Sequence, residues 1–140
     1  MCQVAGKQVQ KEFKNSILMK KKTAVIGATP NPTRYAYIAS NMLLEYDHEL
    51  IPIGIKSGKI HGKEILDIRE KPIVKDIDTI TLYIGPKHQP EWYEYLLSLN
   101  PKRIIFNPGT ENEEFAGIAS AKDIEVTNAC TLVLLRTGLY

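Results

Sequence analysis

The sequence predicts an α/β domain: a doubly wound, mostly parallel sheet of five or slightly more strands, with helices on both faces. Short apolar runs alternate along the chain with segments of helical periodicity, the pattern of strands joined by crossover helices. The first run ends in a small-residue turn that opens directly into a helix. A length of 140 residues, with 44% hydrophobic and 24% charged residues, fits one globular domain. These observations indicate a Rossmann-like arrangement.

Five segments have the short, apolar and partly β-branched character of strands buried in a parallel sheet. They lie at residues 23–26, 49–53, 79–84, 103–106 and 125–127. A further short element is expected near Ile65 and Leu66, inside an otherwise polar, glycine-containing loop at residues 56–71.

Three segments between the strands are predicted to be helices, at about residues 33–46, from Gln89 onward, and at residues 111–121. Asn31 and Pro32 precede the first helix, and these residue types cap and open helices. The second helix carries apolar side chains at the helical spacing i, i+3, i+4, i+7. This spacing favours a face packed on the sheet over an aromatic stacking platform. Its residues are Trp92, Tyr95, Leu96 and Leu99.

The first 22 residues differ from the rest of the chain, being rich in Lys and Gln and lacking the apolar core of a signal peptide. We expect residues 1–22 to form a mobile extension, with Met19 as an alternative start, and residues 23–140 to form the domain. No run approaches the roughly 18 apolar residues of a membrane span. With a net charge of +2 and mixed signs, we expect a cytoplasmic protein whose partners include neither nucleic acid nor membrane.

The segment from Thr23 to Arg34 reads Thr-Ala-Val-Ile-Gly-Ala-Thr-Pro-Asn-Pro-Thr-Arg. It combines a strand, a turn of small residues and the start of a helix, where backbone N–H groups approach a bound phosphate. In a parallel sheet, ligands lie at the carboxyl ends of the strands. The expected binding surface therefore consists of the loop tips at residues 27–34, 52–56, 84–87, 107–110 and 128–131.

The loop tips favour some nucleotides over others. The dinucleotide fingerprint G-x-G-x-x-G is not met, because Thr29 and Pro32 stand where further glycines belong after Gly27. The second strand ends in Pro-Ile-Gly-Ile-Lys56, without the acidic residue that holds the ribose of NAD. Lys56 suits a phosphorylated ribose, as found in NADP and in coenzyme A (CoA). The missing glycines favour CoA, and NADP stays open as the alternative.

Several motifs occur in one order after Thr23: Ala-Val-Ile-Gly-Ala-Thr-Pro-Asn-Pro-Thr-Arg, Pro-Ile-Gly-Ile-Lys, His-Gly-Lys, Ile-Gly-Pro and Phe-Asn-Pro-Gly-Thr-Glu-Asn-Glu-Glu. In this the chain resembles the small, single-domain CoA-binding proteins, which are similar to the CoA-binding domain of the succinyl-CoA synthetase α subunit. The resemblance implies a stand-alone Rossmann-like domain that binds CoA or an acyl-CoA. It implies no general catalytic activity.

The resemblance also implies roles for particular residues at the nucleotide end of the ligand. Gly27, Ala28 and Thr29 would offer backbone N–H groups and a hydroxyl to the pyrophosphate. Arg34 would be a charge-assisted partner of a phosphate group.

Further along the ligand, Ile53 and Gly54 would flank the adenine, and Lys56 would lie near the ribose phosphate. The opposite lip and the pantetheine side would be formed by Ile84, Gly85, Pro86, Asn107, Pro108 and Gly109. The chain departs from the family pattern at Ala36 and Gly85, where relatives commonly carry Ser and Arg.

No convergent nucleophile, base or metal-ligand set is visible, so we expect a binding module without catalytic or metal-binding residues. His48, His61 and His88 are scattered and lack metal-ligand spacing. Cys130, at the end of the last strand, is interpreted as a small buried hydrophobe. The alternatives are a CoA-dependent enzyme that uses Cys130 and an NAD(P)-binding redox or sensing protein. An exposed sheet edge is the feature through which two copies would pair as a homo-oligomer.

Overall fold

A computed structural model describes residues 20–140. Its strands are β1 (Thr23–Ile26), β2 (Leu50–Gly54), β3 (Lys59–Ile60), β4 (Lys63–Glu64), β5 (Leu66–Asp67), β6 (Thr79–Leu82), β7 (Arg103–Phe106) and β8 (Glu125–Asn128). Its α-helices are α1 (Tyr35–Glu45), α2 (Tyr93–Ser98), α3 (Glu113–Ser120) and α4 (Thr131–Arg136). Six strands form one sheet in the order β5-β2-β1-β6-β7-β8, and every pair in it is parallel. The other two, β3 and β4, form an antiparallel hairpin.

Helices cover both faces of the sheet, as the alternation of buried side chains along β1 shows. Ala24 and Ile26 lie in a core cluster with residues of α2 and α3. Val25 points to the opposite face, into a cluster with residues of α1 and α4. The predicted doubly wound α/β fold is therefore confirmed. The strands β5 and β8 form the two edges of the sheet, and pairing of two copies through an edge stays a prediction.

Most of the predicted elements occur within a few residues of their expected bounds. The sixth strand, β5, lies where a short element was expected near Leu66. The helix α4 was not predicted, because six residues are too few to show a helical period. Its start depends on a distant residue: the side-chain oxygen of Asn107 accepts a hydrogen bond from the backbone N–H of Thr131, at 2.9 Å.

The helix α1 begins two residues later than predicted. The side-chain oxygen of Asn31 accepts hydrogen bonds from both the N–H and the hydroxyl of Thr33, at 3.0 and 2.7 Å. Asn31 therefore forms a turn before the helix instead of capping it. Arg34 occupies the N-cap position with extended backbone angles. The chain segment before α2 also differs, since two 3-10 turns, Pro86–His88 and Pro90–Trp92, lead into it.

The extension predicted for residues 1–22 falls largely outside the described residues, which exclude residues 1–19 and therefore Met19. Lys22, the last residue of the predicted extension, contacts the segment before β6: its carbonyl oxygen accepts a hydrogen bond from the N–H of Asp78, at 2.9 Å. The predicted division of the chain into an extension and a domain at Thr23 stays a prediction.

His48 binds the chain segment that directly precedes β1. Its side chain is buried, and Nδ1 accepts a hydrogen bond from the backbone N–H of Lys21, at 3.0 Å. Burial lowers the pKa of His48, and the nearby cations of Lys21 and Arg103 lower it further. The carboxylates of Asp47 and Asp78 act in the opposite direction, with smaller effect. The neutral imidazole is therefore the form that the folded chain favours.

We expect the free energy of unfolding to fall as the pH drops below about 6.5, the ordinary pKa of histidine. Because the pKa of His48 is lower in the folded chain, the unfolded chain binds more protons in this range, and acid favours unfolding. The variant His48→Asn keeps a hydrogen-bond acceptor that does not titrate. Thermal melting between pH 7 and pH 5 should show a steeper loss of stability for the wild type. Parallel curves for the two proteins would contradict this assignment.

Candidate functional site

A cleft of about 690 Å³ opens at the carboxyl ends of the central strands. The sheet order places the switch in winding direction between β1 and β6, because β2 and β5 follow on one side and β7 and β8 on the other. Ligands of open parallel sheets bind in the crevice at such a point. The volume lies within the range of about 300–1,000 Å³ that is typical of small-molecule sites.

The cleft gathers residues from the tips of β2, β1, β6 and β7. Ten of the thirteen site residues predicted from the sequence line it: Gly27, Ala28, Thr29, Arg34, Gly54, Lys56, Ile84, Gly85, Pro108 and Gly109. Nine residues outside the predicted set line it as well: Tyr35, Ala36, Ile55, Ile68, Tyr83, His88, Glu91, Trp92 and Thr110.

Two of the predicted site residues, Ile53 and Pro86, lie outside the cleft because β2 and the segment after β6 differ from the prediction. The strand β2 extends to Gly54, which leaves Ile53 fully buried in the core. Ile55, the first residue after β2, is 58% exposed and lines the cleft in its place. Pro86 is exposed and starts a 3-10 turn outside the cleft.

Asn107 is the third predicted residue outside the cleft, and it is buried. Its side-chain nitrogen donates to the hydroxyl of Thr81 at 2.7 Å and to the carbonyl oxygen of Leu82 at 3.0 Å. Its side-chain oxygen accepts from the N–H of Thr131. With its amide used in this way, Asn107 joins β6, β7 and α4 and does not line the cleft.

The first turn of the cleft uses some of the N–H groups that were expected to meet a phosphate. Gly27 has a φ of +97°, and the N–H groups of Gly27 and Ala28 both donate to the carbonyl oxygen of Ile53, at 2.9 and 3.1 Å. Within residues 20–140, the N–H groups of Thr29, Tyr35 and Ala36 have no hydrogen-bond acceptor. The groups free to bind an anion are therefore those of Thr29 and of the first turn of α1.

The tip of β2 touches this turn with its backbone. A Cβ placed on Gly54 would lie 2.7 Å from the carbonyl oxygen and 3.0 Å from the nitrogen of Ala28. Only glycine allows this approach without a shift, because both contacts are with backbone atoms and not with the end of a flexible side chain. The position of the Gly27–Thr29 turn, and with it the depth of the cleft, depends on the absent side chain of Gly54.

One end of the cleft is electropositive. Arg34 and Lys56 both line it, and the three ion pairs found within residues 20–140 join other residues. The first turn of α1 contains no acidic residue, so the partial positive charge of its N-terminus is not neutralised from within the helix. This end of the cleft, formed by the tips of β1 and β2, is suited to an anionic ligand group.

Aromatic and apolar side chains form part of the cleft wall, where flat or uncharged groups of a ligand could pack. Tyr35 is 71% exposed at its edge. The predicted packing face of the second helical segment is confirmed for Tyr95, Leu96 and Leu99, which are buried. Trp92 packs against the same core while also lining the cleft.

Tyr83 contributes a half-buried phenol to the same cleft. Burial raises the pKa of Tyr83 to about 12. Its phenol is therefore protonated at neutral pH.

The side chains with catalytic potential are dispersed. Cys130 is half-buried, packs against the cluster of α1 and α4 residues, and does not line the cleft. Of the three histidines, His88 lines the cleft, whereas His48 lies beside Lys21 and His61 in the turn between β3 and β4. Within residues 20–140, no cluster of three or more His, Cys, Asp or Glu side chains could hold a metal ion. In the same part of the chain, no helix has the length and apolar character needed to cross a membrane.

Comparisons with known proteins agree with this geometry. No protein of curated function matches the chain in sequence. A crystal structure named only as that of an uncharacterized protein is 50% identical, with a TM-score of 0.84 over 86% of this chain and 98% of the other. A hypothetical protein from Pyrococcus horikoshii OT3 is 27% identical, with a TM-score of 0.74 over 93% of this chain and 92% of the other. A conserved hypothetical protein from Pyrococcus furiosus is also 27% identical, with a TM-score of 0.70 over 81% and 97%.

The family comparison covers nearly all of the described chain. Residues 21–136 match the model of the CoA binding domain. The match spans the strands β1 to β8, the helices α1 to α4 and every residue that lines the cleft. This chain therefore belongs to the family of CoA binding domains.

Proposed function

We propose that this chain binds CoA or an acyl-CoA in the cleft between the tips of β2, β1, β6 and β7, as a binding module without a catalytic step of its own. The observation that carries the proposal is the charge distribution along the cleft. Arg34 and Lys56, which form no ion pair within residues 20–140, and free N–H groups lie at one end. The glycine- and proline-containing lips lie at the other end, where Glu91 is the acidic residue of the lining. CoA has the same polarity, with its phosphates at one end and an uncharged pantetheine arm at the other.

The pyrophosphate is assigned to the N-terminus of α1. The free N–H groups of Thr29, Tyr35 and Ala36 supply donors there, and the helix dipole favours an anion. Arg34, at the N-cap, adds a guanidinium that can form charge-assisted hydrogen bonds with phosphate oxygens. Lys56, at the tip of β2, is assigned to the phosphate on the ribose.

CoA is favoured over the nicotinamide dinucleotides by the tip of β2. Gly54, Ile55 and Lys56 line the cleft there, and none of them offers the carboxylate that holds the free ribose hydroxyls of NAD. NADP would share the interaction with Lys56. The lips formed by Gly85 and by Pro108 and Gly109 carry little side-chain bulk, which suits a thin, flexible pantetheine arm.

The alternative of an enzyme that uses Cys130 is not favoured, because the thiol lies outside the cleft. A mixed disulfide between Cys130 and bound CoA would require the two sulfur atoms to meet. His88 and Glu91 do line the cleft, but neither side chain carries a thiol that could exchange with CoA. The binding role therefore stands without an assigned reaction.

Calorimetric titration of the purified chain with CoA, acetyl-CoA, NADP and NAD tests the proposal. We expect CoA and acetyl-CoA to bind in the micromolar range, at least about tenfold more tightly than either dinucleotide. Trp92 is the single tryptophan of the chain and lines the cleft, so its fluorescence should change during the same titration. NADP binding more tightly than CoA, or no binding of CoA at millimolar concentration, would overturn the proposal.

The variant Lys56→Ala should weaken CoA binding about tenfold and leave the binding of dephospho-CoA within about twofold of wild type. The reason is the loss of one charge-assisted interaction with the ribose phosphate, which dephospho-CoA lacks. Lys59→Ala is the matched control, because Lys59 lies on the β3–β4 hairpin and does not line the cleft. Equal losses for both ligands would assign Lys56 to the pyrophosphate.

A further inference from the structure

We propose that Gln89 is a positioning residue, which sets the distance between the two lips of the cleft that hold the pantetheine arm. The inference rests on the proposed function and extends it to a residue that does not touch the ligand. Gln89 is fully buried and absent from the lining of the cleft. Its effect on binding therefore has to pass through the backbone that it holds.

The side-chain amide of Gln89 joins the two lips directly. Its Nε2 donates one hydrogen bond to the carbonyl oxygen of Ile84 and another to that of Thr110, each at 2.8 Å. Ile84 follows β6 and Thr110 follows β7, and both residues line the cleft. One buried NH₂ group thus uses both of its hydrogens to tie the neighbouring lips together.

A second amide fixes the orientation of the first. The Oε1 of Gln89 accepts a hydrogen bond from the Nδ2 of Asn112, at 2.9 Å. Asn112 also donates to the hydroxyl of Tyr93 at 2.8 Å, and it accepts from the N–H of Phe115 as the N-cap of α3. A flipped Gln89 amide would turn its oxygen toward two carbonyl oxygens, so the network permits a single orientation.

The side-chain hydrogen bonds of this network all lie on one side of the cleft. None of the hydrogen bonds of Gln89 or Asn112 reaches the Gly27–Thr29 turn, Arg34 or the tip of β2 within the described residues. If Gln89 sets the width between the lips, its loss should affect the pantetheine arm and leave the nucleotide end unchanged. A residue that merely held the fold together would affect both ends equally.

The test compares two ligands in the variant Gln89→Met, which has a similar volume and no amide. The ligands are CoA and adenosine 3′,5′-bisphosphate, which has the phosphorylated ribose of CoA and lacks the pantetheine arm. We expect the Kd of CoA to rise about tenfold and that of the bisphosphate to stay within about twofold. Equal weakening of both ligands, or unchanged binding of CoA, would overturn the inference.

The variant Gln89→Glu gives an independent measurement if the methionine variant does not fold. It keeps the acceptor for Asn112 and turns a carboxylate oxygen toward the carbonyl oxygens of Ile84 and Thr110. CoA binding should be weakened at pH 7.5 and recover, relative to wild type, near pH 5.5, where a protonated carboxyl can donate again. An affinity ratio independent of pH would contradict the role of the donated hydrogen bond. A wild-type chain that binds no CoA would instead overturn the proposed function itself.

Discussion

Replacement of Gly54 by alanine is expected to weaken CoA binding by more than about tenfold and to lower the free energy of unfolding by about 1–3 kcal/mol. The added Cβ would lie 2.7 Å from the carbonyl oxygen of Ala28, a distance at which one of the two backbones must move. Ala28 is itself buried and bound through its N–H to Ile53. The displacement therefore passes to the Gly27–Thr29 turn, which lines the end of the cleft that we propose for the phosphates.

Gly117→Ala provides the matched control for this substitution. Gly117 lies in α3, and a Cβ at this position would meet nothing within 4 Å. Alanine in an exposed helix should raise the free energy of unfolding by about 0.5–1 kcal/mol and leave CoA binding unchanged. Chemical denaturation and calorimetry of both variants separate the two effects. A Gly54→Ala protein that bound CoA as tightly as the wild type would show that the position of the Gly27–Thr29 turn does not depend on Gly54.

The strands were predictable because their signal is local. A buried parallel strand needs a continuous apolar run, and the segments at Thr23–Ile26 and Arg103–Phe106 have one, so their bounds agree with the structure. The very short elements are different. The strand β5 has two residues and α4 has six, which is too few for a period, and their conformation depends on contacts made by distant parts of the chain.

The site could be predicted from the sequence as far as the ends of the strands determine which loops border the cleft. A strand that continues by one residue was enough to bury Ile53 and bring Ile55 into the cleft. Asn107 lies at a tip, yet its amide is used inside the sheet. Gln89 was assigned only to a helix start, because nothing in its neighbours along the chain indicates the carbonyl oxygens of Ile84 and Thr110. The roles of Asn107 and Gln89 depend on hydrogen bonds to residues distant in the sequence, and local sequence patterns do not indicate such partners.

Substitution of Arg34 tests the proposed nucleotide end of the cleft. Arg34 lies directly before α1, and it has no ion-pair partner within residues 20–140. Arg34→Ala should weaken CoA and dephospho-CoA equally, by about 10- to 100-fold, because both ligands contain the pyrophosphate. Arg34→Lys should recover part of the loss, since lysine keeps the charge but lacks the planar fork of the guanidinium. Arg136→Ala is the control, as Arg136 lies at the end of α4, outside the cleft.

The ratio between the two ligands decides which phosphate Arg34 binds. If Arg34→Ala weakened CoA and left dephospho-CoA unchanged, the guanidinium would belong to the ribose phosphate together with Lys56. The free N–H groups of Thr29, Tyr35 and Ala36 would then hold the pyrophosphate without a cation. Such a site would depend on the helix N-terminus, whose electrostatic contribution is screened by salt. A titration of dephospho-CoA at low and high ionic strength would separate that arrangement from direct binding of the pyrophosphate by Arg34.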